Sequence, residues 1–147
     1  YAGYRNASKA DDPNYIFGFI ATQPDKIEIA LNKFNTLLNE IPKSENAFNN
    51  AKEAIVKSIN TERIIKDGLF WTYMKNKDLG IETDYRKDVY NFVQNASFED
   101  MERFFNENVK GKTYTYVVLG KKEDVDFNVL KKMGKVEELT LEQIFNY

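Results

Sequence analysis

The 147-residue chain contains no cysteine and no histidine. Without cysteine there is no disulfide, no thiolate nucleophile and no zinc site built on sulfur. Without histidine the commonest general base and the commonest zinc ligand are also gone. The seven glycines are scattered singly among only three prolines, so no Gly-rich phosphate turn and no Pro/Gly/Ser linker can be drawn. Apolar runs are short too. The longest uncharged one, Tyr15 to Ala21, is of strand length, far from the roughly 18 residues a helix needs to span a bilayer. A dominant charge is likewise missing: 21 Lys and Arg stand against 23 Asp and Glu, a net charge of −2. Such a chain has no basic stripe to displace counterions from phosphates, so no nucleic-acid partner is expected. What remains is ordinary globular composition, 42% apolar and 30% charged, with length for one sizeable core, so residues 1–147 are expected to form a single domain. The chain opens on Tyr1 rather than Met, which leads us to expect a piece of a longer polypeptide.

Residues 1–8 and 14–21 read as two strands around a turn at 9–13. The second is β-branched and aromatic, with Gly18 where another backbone can approach. Thr22-Gln-Pro-Asp25 is a capping-box-like start. Ile27, Ala30, Leu31, Phe34, Leu37, Leu38 and Ile41 then follow at helical spacing until Pro42 ends the helix. Ser44 caps a second helix with Phe48, Ala51, Ile55 and Ile59 on one face. That pattern runs on through Ile65, Leu69, Trp71 and Tyr73, interrupted by Gly68, and either one bent helix over 44–77 or two separate ones fit it. Asp84 precedes a short helix carrying Tyr85, Val89, Phe92 and Val93. Ser97-Phe-Glu-Asp100 is a capping box opening a helix that buries Phe98, Met101, Phe104 and Phe105 and is stopped by Gly111. Residues 113–119, closed by Gly120, have strand composition. A helical stretch over 127–133, a polar extended piece over 135–139 and a last turn capped by Thr140 complete the chain. The expected class is α+β, with helices packed on one face of a small, mostly antiparallel sheet.

Few residues suggest chemistry. The acidic clusters Asp11-Asp12, Asp124/Asp126 and Glu137-Glu138 lie in or beside turns, where carboxylates bond their own backbone or stay solvated; no calcium loop can be laid over them, and nothing favours a glycosidase-type pair. Tyr73 and Lys77 have the Tyr-x-x-x-Lys spacing of a dehydrogenase base, but no dinucleotide turn accompanies them. Gly120-Lys121-Lys122 lacks the rest of a phosphate loop and reads as a solvated turn. With sixteen Asn in the chain, the sequons Asn6-Ala7-Ser8 and Asn95-Ala96-Ser97 are expected by chance. One Trp, nine Tyr and eleven Phe fall mostly at core spacing, and core packing is the leading expectation; were some to form a peptide-binding surface, Trp71 and Tyr73 would be the exposed pair.

Five blocks recur in an order that is itself informative. Tyr15-Ile-Phe-Gly-Phe-Ile-Ala-Thr-Gln-Pro-Asp-Lys26 is a strand running into a helix at a T-x-P-D-K junction, and Ala51-Lys52 lies in the next helix. Asp84-Tyr85 and Val93-Gln-Asn-Ala-Ser-Phe-Glu-Asp100 lead into another. Tyr116-Val-Val-Leu-Gly120 follows, then Leu130-Lys-Lys-Met-Gly-Lys-Val136 and Ile144-Phe145. Over nearly the whole chain these blocks resemble the C-terminal, non-catalytic domain of the pitrilysin/insulinase family of zinc metallopeptidases, its bacterial members especially. The resemblance implies an insulinase-like half-domain, with further strands expected upstream of Tyr1. It also implies a division of labour. The family's catalytic domain carries His-x-x-Glu-His, whose Glu activates the metal-bound water, and takes another Glu ligand from a later helix. A chain without His is not that domain. Zinc is therefore expected in a partner catalytic domain, in the same polypeptide or a homologous subunit, and no cofactor in this chain. The helix around Ala51 resembles the one that supplies the later Glu, but Glu53 and Glu62 are expected to be solvated. Some C-terminal domains of the family grip substrate with an Arg and a Tyr; those positions fall upstream of Tyr1, and Tyr4 and Arg5 are not their equivalents.

The implied function is to enclose and bind a peptide, through an edge strand or an aromatic wall, for hydrolysis by the zinc domain. The parent would be a zinc metalloendopeptidase and this chain alone no enzyme, with no catalytic, cofactor-binding or metal residue assigned and the substrate-binding residues left open. The alternative is a scaffold or oligomerisation module without a peptidase partner; a His-free enzyme acting through carboxylates ranks third. An exported or periplasmic compartment follows from the resemblance alone.

Overall fold

In the computed structural model, which describes residues 1–63 and 65–146, Ala2–Arg5 (β1) and Tyr15–Gly18 (β2) pair antiparallel. The helices follow as Ile27–Asn39 (α1), Glu45–Thr61 (α2), Lys66–Asp78 (α3), Tyr85–Asn95 (α4), Phe98–Asn108 (α5), Phe127–Met133 (α6) and Leu141–Phe145 (α7). The fold is α+β, a two-stranded antiparallel sheet with seven α-helices among the described residues. None of those helices is long and apolar enough to cross a membrane. Contacts group the chain into two units, one of residues 1–19 and 39–112, the other of residues 20–38 and those from 113 onward.

In the first unit the hairpin register is Ala2 opposite Gly18, Gly3 opposite Phe17, Tyr4 opposite Ile16 and Arg5 opposite Tyr15. Its connecting loop is held by Asn14, whose Oδ1 accepts the N–H of buried Ala7 at 2.9 Å, and by the Ala10 N–H, which donates to the Asp78 carbonyl of α3 at 2.9 Å. The stretch expected as one helix or two is two. Glu62 and Ile65 both have extended backbone, and the Thr61 hydroxyl donates to the Lys57 carbonyl at 2.8 Å in the last turn of α2. Ile64, inside the expected span, lies outside the described residues. Gly68 interrupts nothing; it sits within the first turn of α3.

The helix α2 packs on α4. Its covered side holds Phe48, Lys52, Val56 and Ile59, while Ala51 and Ile55 of the expected face are exposed. Lys52 explains the rotation. Its Nζ lies 5.5 Å from the centroid of the Phe48 ring and donates to the Ala96 carbonyl at 2.6 Å and the Gln94 carbonyl at 3.3 Å, the open acceptors at the end of α4. Phe48 meets Phe98 of α5 edge to face at 5.7 Å. The capping residues act as the sequence predicts: Asp84 accepts from the Arg86 N–H, and Ser97 and Asp100 exchange both bonds of a capping box. Val93 is buried and Phe98, Met101 and Phe105 are half-buried, but Phe92 and Phe104 are exposed.

In the second unit Pro24–Lys26 forms a 3₁₀ turn leading into α1, and Gln23, not Thr22, holds the cap position. Along α1, Ala30 is buried and Ile27, Leu31, Phe34 and Leu38 half-buried, while Leu37 faces out. The helix ends at Asn39, since Pro42 disfavours helical backbone at Ile41. Lys132 of α6 reaches Glu28 of α1 at 3.0 Å, and the Tyr116 hydroxyl donates to Asn35 Oδ1 at 2.5 Å. Val129 of α6 is buried beneath an Asp126 cap, and Thr140 with Gln143 forms the capping box of α7. Residues 113–119 are not a strand. Half-buried Tyr114 and Tyr116 alternate with exposed Thr115 and Val117, the period of a strand, but no described segment supplies the partner ladder that would make it one. Burial pushes the Tyr114 phenol pKa up, with Tyr116 adding to the shift.

Candidate functional site

An open groove of about 780 Å³ lies between the hairpin and α3 in the first unit. The helix contributes Trp71, Met74, Lys75 and Asp78, positions i, i+3, i+4 and i+7 that share one face of α3. The hairpin contributes Tyr4, Arg5 and Phe17, and its loop Asn6, Ala7 and Ser8. Two anchors hold the far end of α3: the bond from Ala10 to Asp78, and Asn76. Asn76 is buried, its amide donates to the Thr83 carbonyl at 3.2 Å, and its main-chain carbonyl accepts from Ile81 at 2.8 Å.

The aromatic wall depends on a glycine. The Phe17 ring lies across Gly3, so close that a Cβ there would stand 2.7 Å from the ring. Tyr1 meets that ring edge-on at 6.4 Å and stacks on Phe19 at 5.3 Å. Across the groove Trp71 is 69% exposed, propped edge-to-face against Phe70 at 5.2 Å. Arg5 and Lys75 have no ion-pair partner among the described residues, and Asp78 is the one carboxylate in the lining.

The groove also adjoins a free strand edge. Tyr1 and Phe19 exchange both main-chain hydrogen bonds, Tyr1 N to Phe19 O at 3.0 Å and Phe19 N to Tyr1 O at 2.8 Å. Bonded and non-bonded pairs alternate in an antiparallel ladder, so Gly3–Phe17 and Arg5–Tyr15 are bonded pairs, while the main-chain groups of Ala2 and Tyr4 point outward from β1. No described strand pairs with that edge.

The other residues singled out in the sequence do not converge. Tyr73 is exposed, and no hydrogen bond joins it to Lys77. Asp12 sits in a turn closed by its N–H to the Lys9 carbonyl at 3.1 Å, Asp126 is a helix cap, and Glu138 pairs with Lys122 at 2.5 Å. Glu53 and Glu62 are both exposed, as expected, and Glu62 also reaches Arg86 at 3.4 Å. A smaller depression of about 410 Å³ includes Glu62, Asp84 and Arg86, whose charges are already matched. The Arg86 guanidinium binds both Asp84 oxygens, holding that carboxyl below its usual range while its own pKa is raised. Among the described residues no three or more carboxylate, His or Cys side chains cluster as metal donors. Sequence reasoning singled out Trp71 but missed Phe17, Met74, Lys75 and Asp78, and set Tyr4 and Arg5 aside. The spacing of Trp71, Met74, Lys75 and Asp78 could have marked the helix side of the groove. No family model, curated protein or solved structure matches the chain.

Proposed function

We propose that this chain is a non-catalytic peptide-holding domain, presenting an extended peptide to a separate zinc-bearing peptidase domain. The observation that carries the reading is the groove: an aromatic wall of Tyr4, Phe17 and Trp71 beside the unpaired outer edge of β1. Extended peptides bind this kind of surface by adding a strand to the edge and seating alternate side chains in pockets, which needs geometry and no metal. The peptidase half of the proposal comes from the ordered blocks that resemble the pitrilysin/insulinase family, whose metal chemistry would reside in the partner. Titration of the chain with a blocked, extended, neutral hexapeptide tests the holding role. The expected result is saturable binding with a change in emission from Trp71, the one tryptophan in the chain, and slowed amide exchange at Ala2 and Tyr4. Absence of both responses overturns the proposal.

The scaffold reading has its own observation in the second unit, where Val117 is 90% exposed and Leu119 fully so. Uncovered aliphatic side chains of this kind suit a stable protein interface. Light scattering separates the two: a concentration-independent oligomer without peptide binding favours the scaffold.

A further inference from the structure

We propose that the groove between the hairpin and α3 selects peptides in which a carboxylate side chain neighbours an aromatic or large aliphatic one. This rests on the peptide-holding reading and adds the substrate class. The lining contains two cations without ion-pair partners, Arg5 at the end of β1 and Lys75 on α3, against the single carboxylate of Asp78. Asp78 lies three residues beyond Lys75 on the same helix, yet the two are not ion-paired, so both cations remain available to a ligand. Lys75 sits one helical turn after Trp71 on a shared face. A peptide carboxylate at Lys75 therefore brings an adjoining apolar side chain to the indole. Arg5 adds a planar fork suited to two-point recognition of a carboxylate, and ionic hydrogen bonds of this kind are stronger than neutral ones. A peptide cation at the same position would meet two like charges. Because Arg5 and Lys75 are both exposed, the discrimination must weaken as salt is raised.

The test uses the whole chain and three blocked peptides, acetyl-Ala-Ala-Phe-Glu-Ala-Ala-amide and its Glu→Gln and Glu→Lys counterparts, with affinities from Trp71 emission and calorimetry. The Glu peptide is expected to bind about tenfold more tightly than the Gln peptide, the scale of one charge-assisted hydrogen bond. The Lys peptide should bind most weakly, and the spread should shrink with added salt. The double substitution Arg5→Gln and Lys75→Gln should remove the spread among the three peptides; both residues are exposed, so an unchanged circular dichroism spectrum is expected. Equal affinity for the three peptides, or preference for Lys, overturns the charge selection and leaves the holding role standing. Failure of all three to bind overturns both.

Discussion

Two parts of the first unit are stabilised in opposite ways. In α2, α4 and α5 the polar ends are answered from within: Ser97 and Asp100 close the start of α5, Lys52 takes the last carbonyls of α4, and Phe48 rests edge-on against Phe98. The hairpin leaves an edge open, and α3 has no side-chain cap at its start. The outer edge of β1 has no ladder among the described residues, and Tyr1, Tyr4, Phe17, Phe70 and Trp71 are all exposed. A two-stranded hairpin is marginal in water by itself, and contiguous uncovered aromatic surface marks a place where something binds. The difference teaches how to divide the unit: the helices carry stability, and the hairpin with α3 carries the surface that gains by being covered.

The hardest blow to that division aims at the helices. Phe98→Ala is expected to cost about 2–3 kcal/mol, below the range for fully buried aromatics because Phe98 is only half-buried. A double-mutant cycle with Phe48→Ala should return a coupling of about 0.5–1.5 kcal/mol for the edge-to-face pair. Urea midpoints measure both. If Phe98→Ala left the midpoint unchanged, α5 would not belong to the stable part.

Next in size is the cap. Ser97→Ala should cost about 1 kcal/mol at neutral pH. The Ser97 backbone N–H, its hydroxyl and then Arg103 hold the Asp100 carboxyl below its usual 3.8. A carboxyl lowered in the folded state contributes stability that is fully present above its unfolded value and is lost as pH falls through the lower folded one. The gap between wild type and Ser97→Ala should therefore hold from neutral pH down to the usual carboxylate range and narrow below it, as the hydroxyl-to-carboxylate bond is lost while the Asp100 N–H to Ser97 Oγ bond remains. A gap that widened on acidification would contradict the assignment.

The sequence made the helices legible because caps are local: Asp84, Ser97 and Thr140 bond to backbone within three residues, and nothing distant can alter that. Faces were harder to read. Phe48-Ala51-Ile55-Ile59 is a sound apolar stripe by spacing, yet Lys52 outcompetes Ala51 because its ammonium finds two carbonyls more than forty residues away. The same non-locality decides 113–119, whose alternation is strand-like but which pairs with no described strand. It hid half of the groove. Trp71, Met74, Lys75 and Asp78 can be grouped from helical spacing alone, but Tyr4, Arg5 and Phe17 join them only once the hairpin register is fixed and Phe17 folds over Gly3.

The smallest expected effect is the sharpest test of the division. Trp71→Ala should change stability by less than about 0.5 kcal/mol, since a side chain 69% exposed gives up little burial when truncated. The same substitution should weaken binding of the Phe-Glu hexapeptide severalfold by calorimetry, because the indole is the largest apolar surface in the groove and aromatic anchors of this kind dominate peptide interfaces. The two readouts must part company. A loss of 2 kcal/mol or more in the urea midpoint would mean that Trp71 is structural, and the hairpin with α3 would then rank with the helices instead of standing apart from them. Unchanged stability with unchanged peptide affinity would leave α3 outside the binding surface, removing the helix side of the groove while leaving the edge of β1 to be tested on its own.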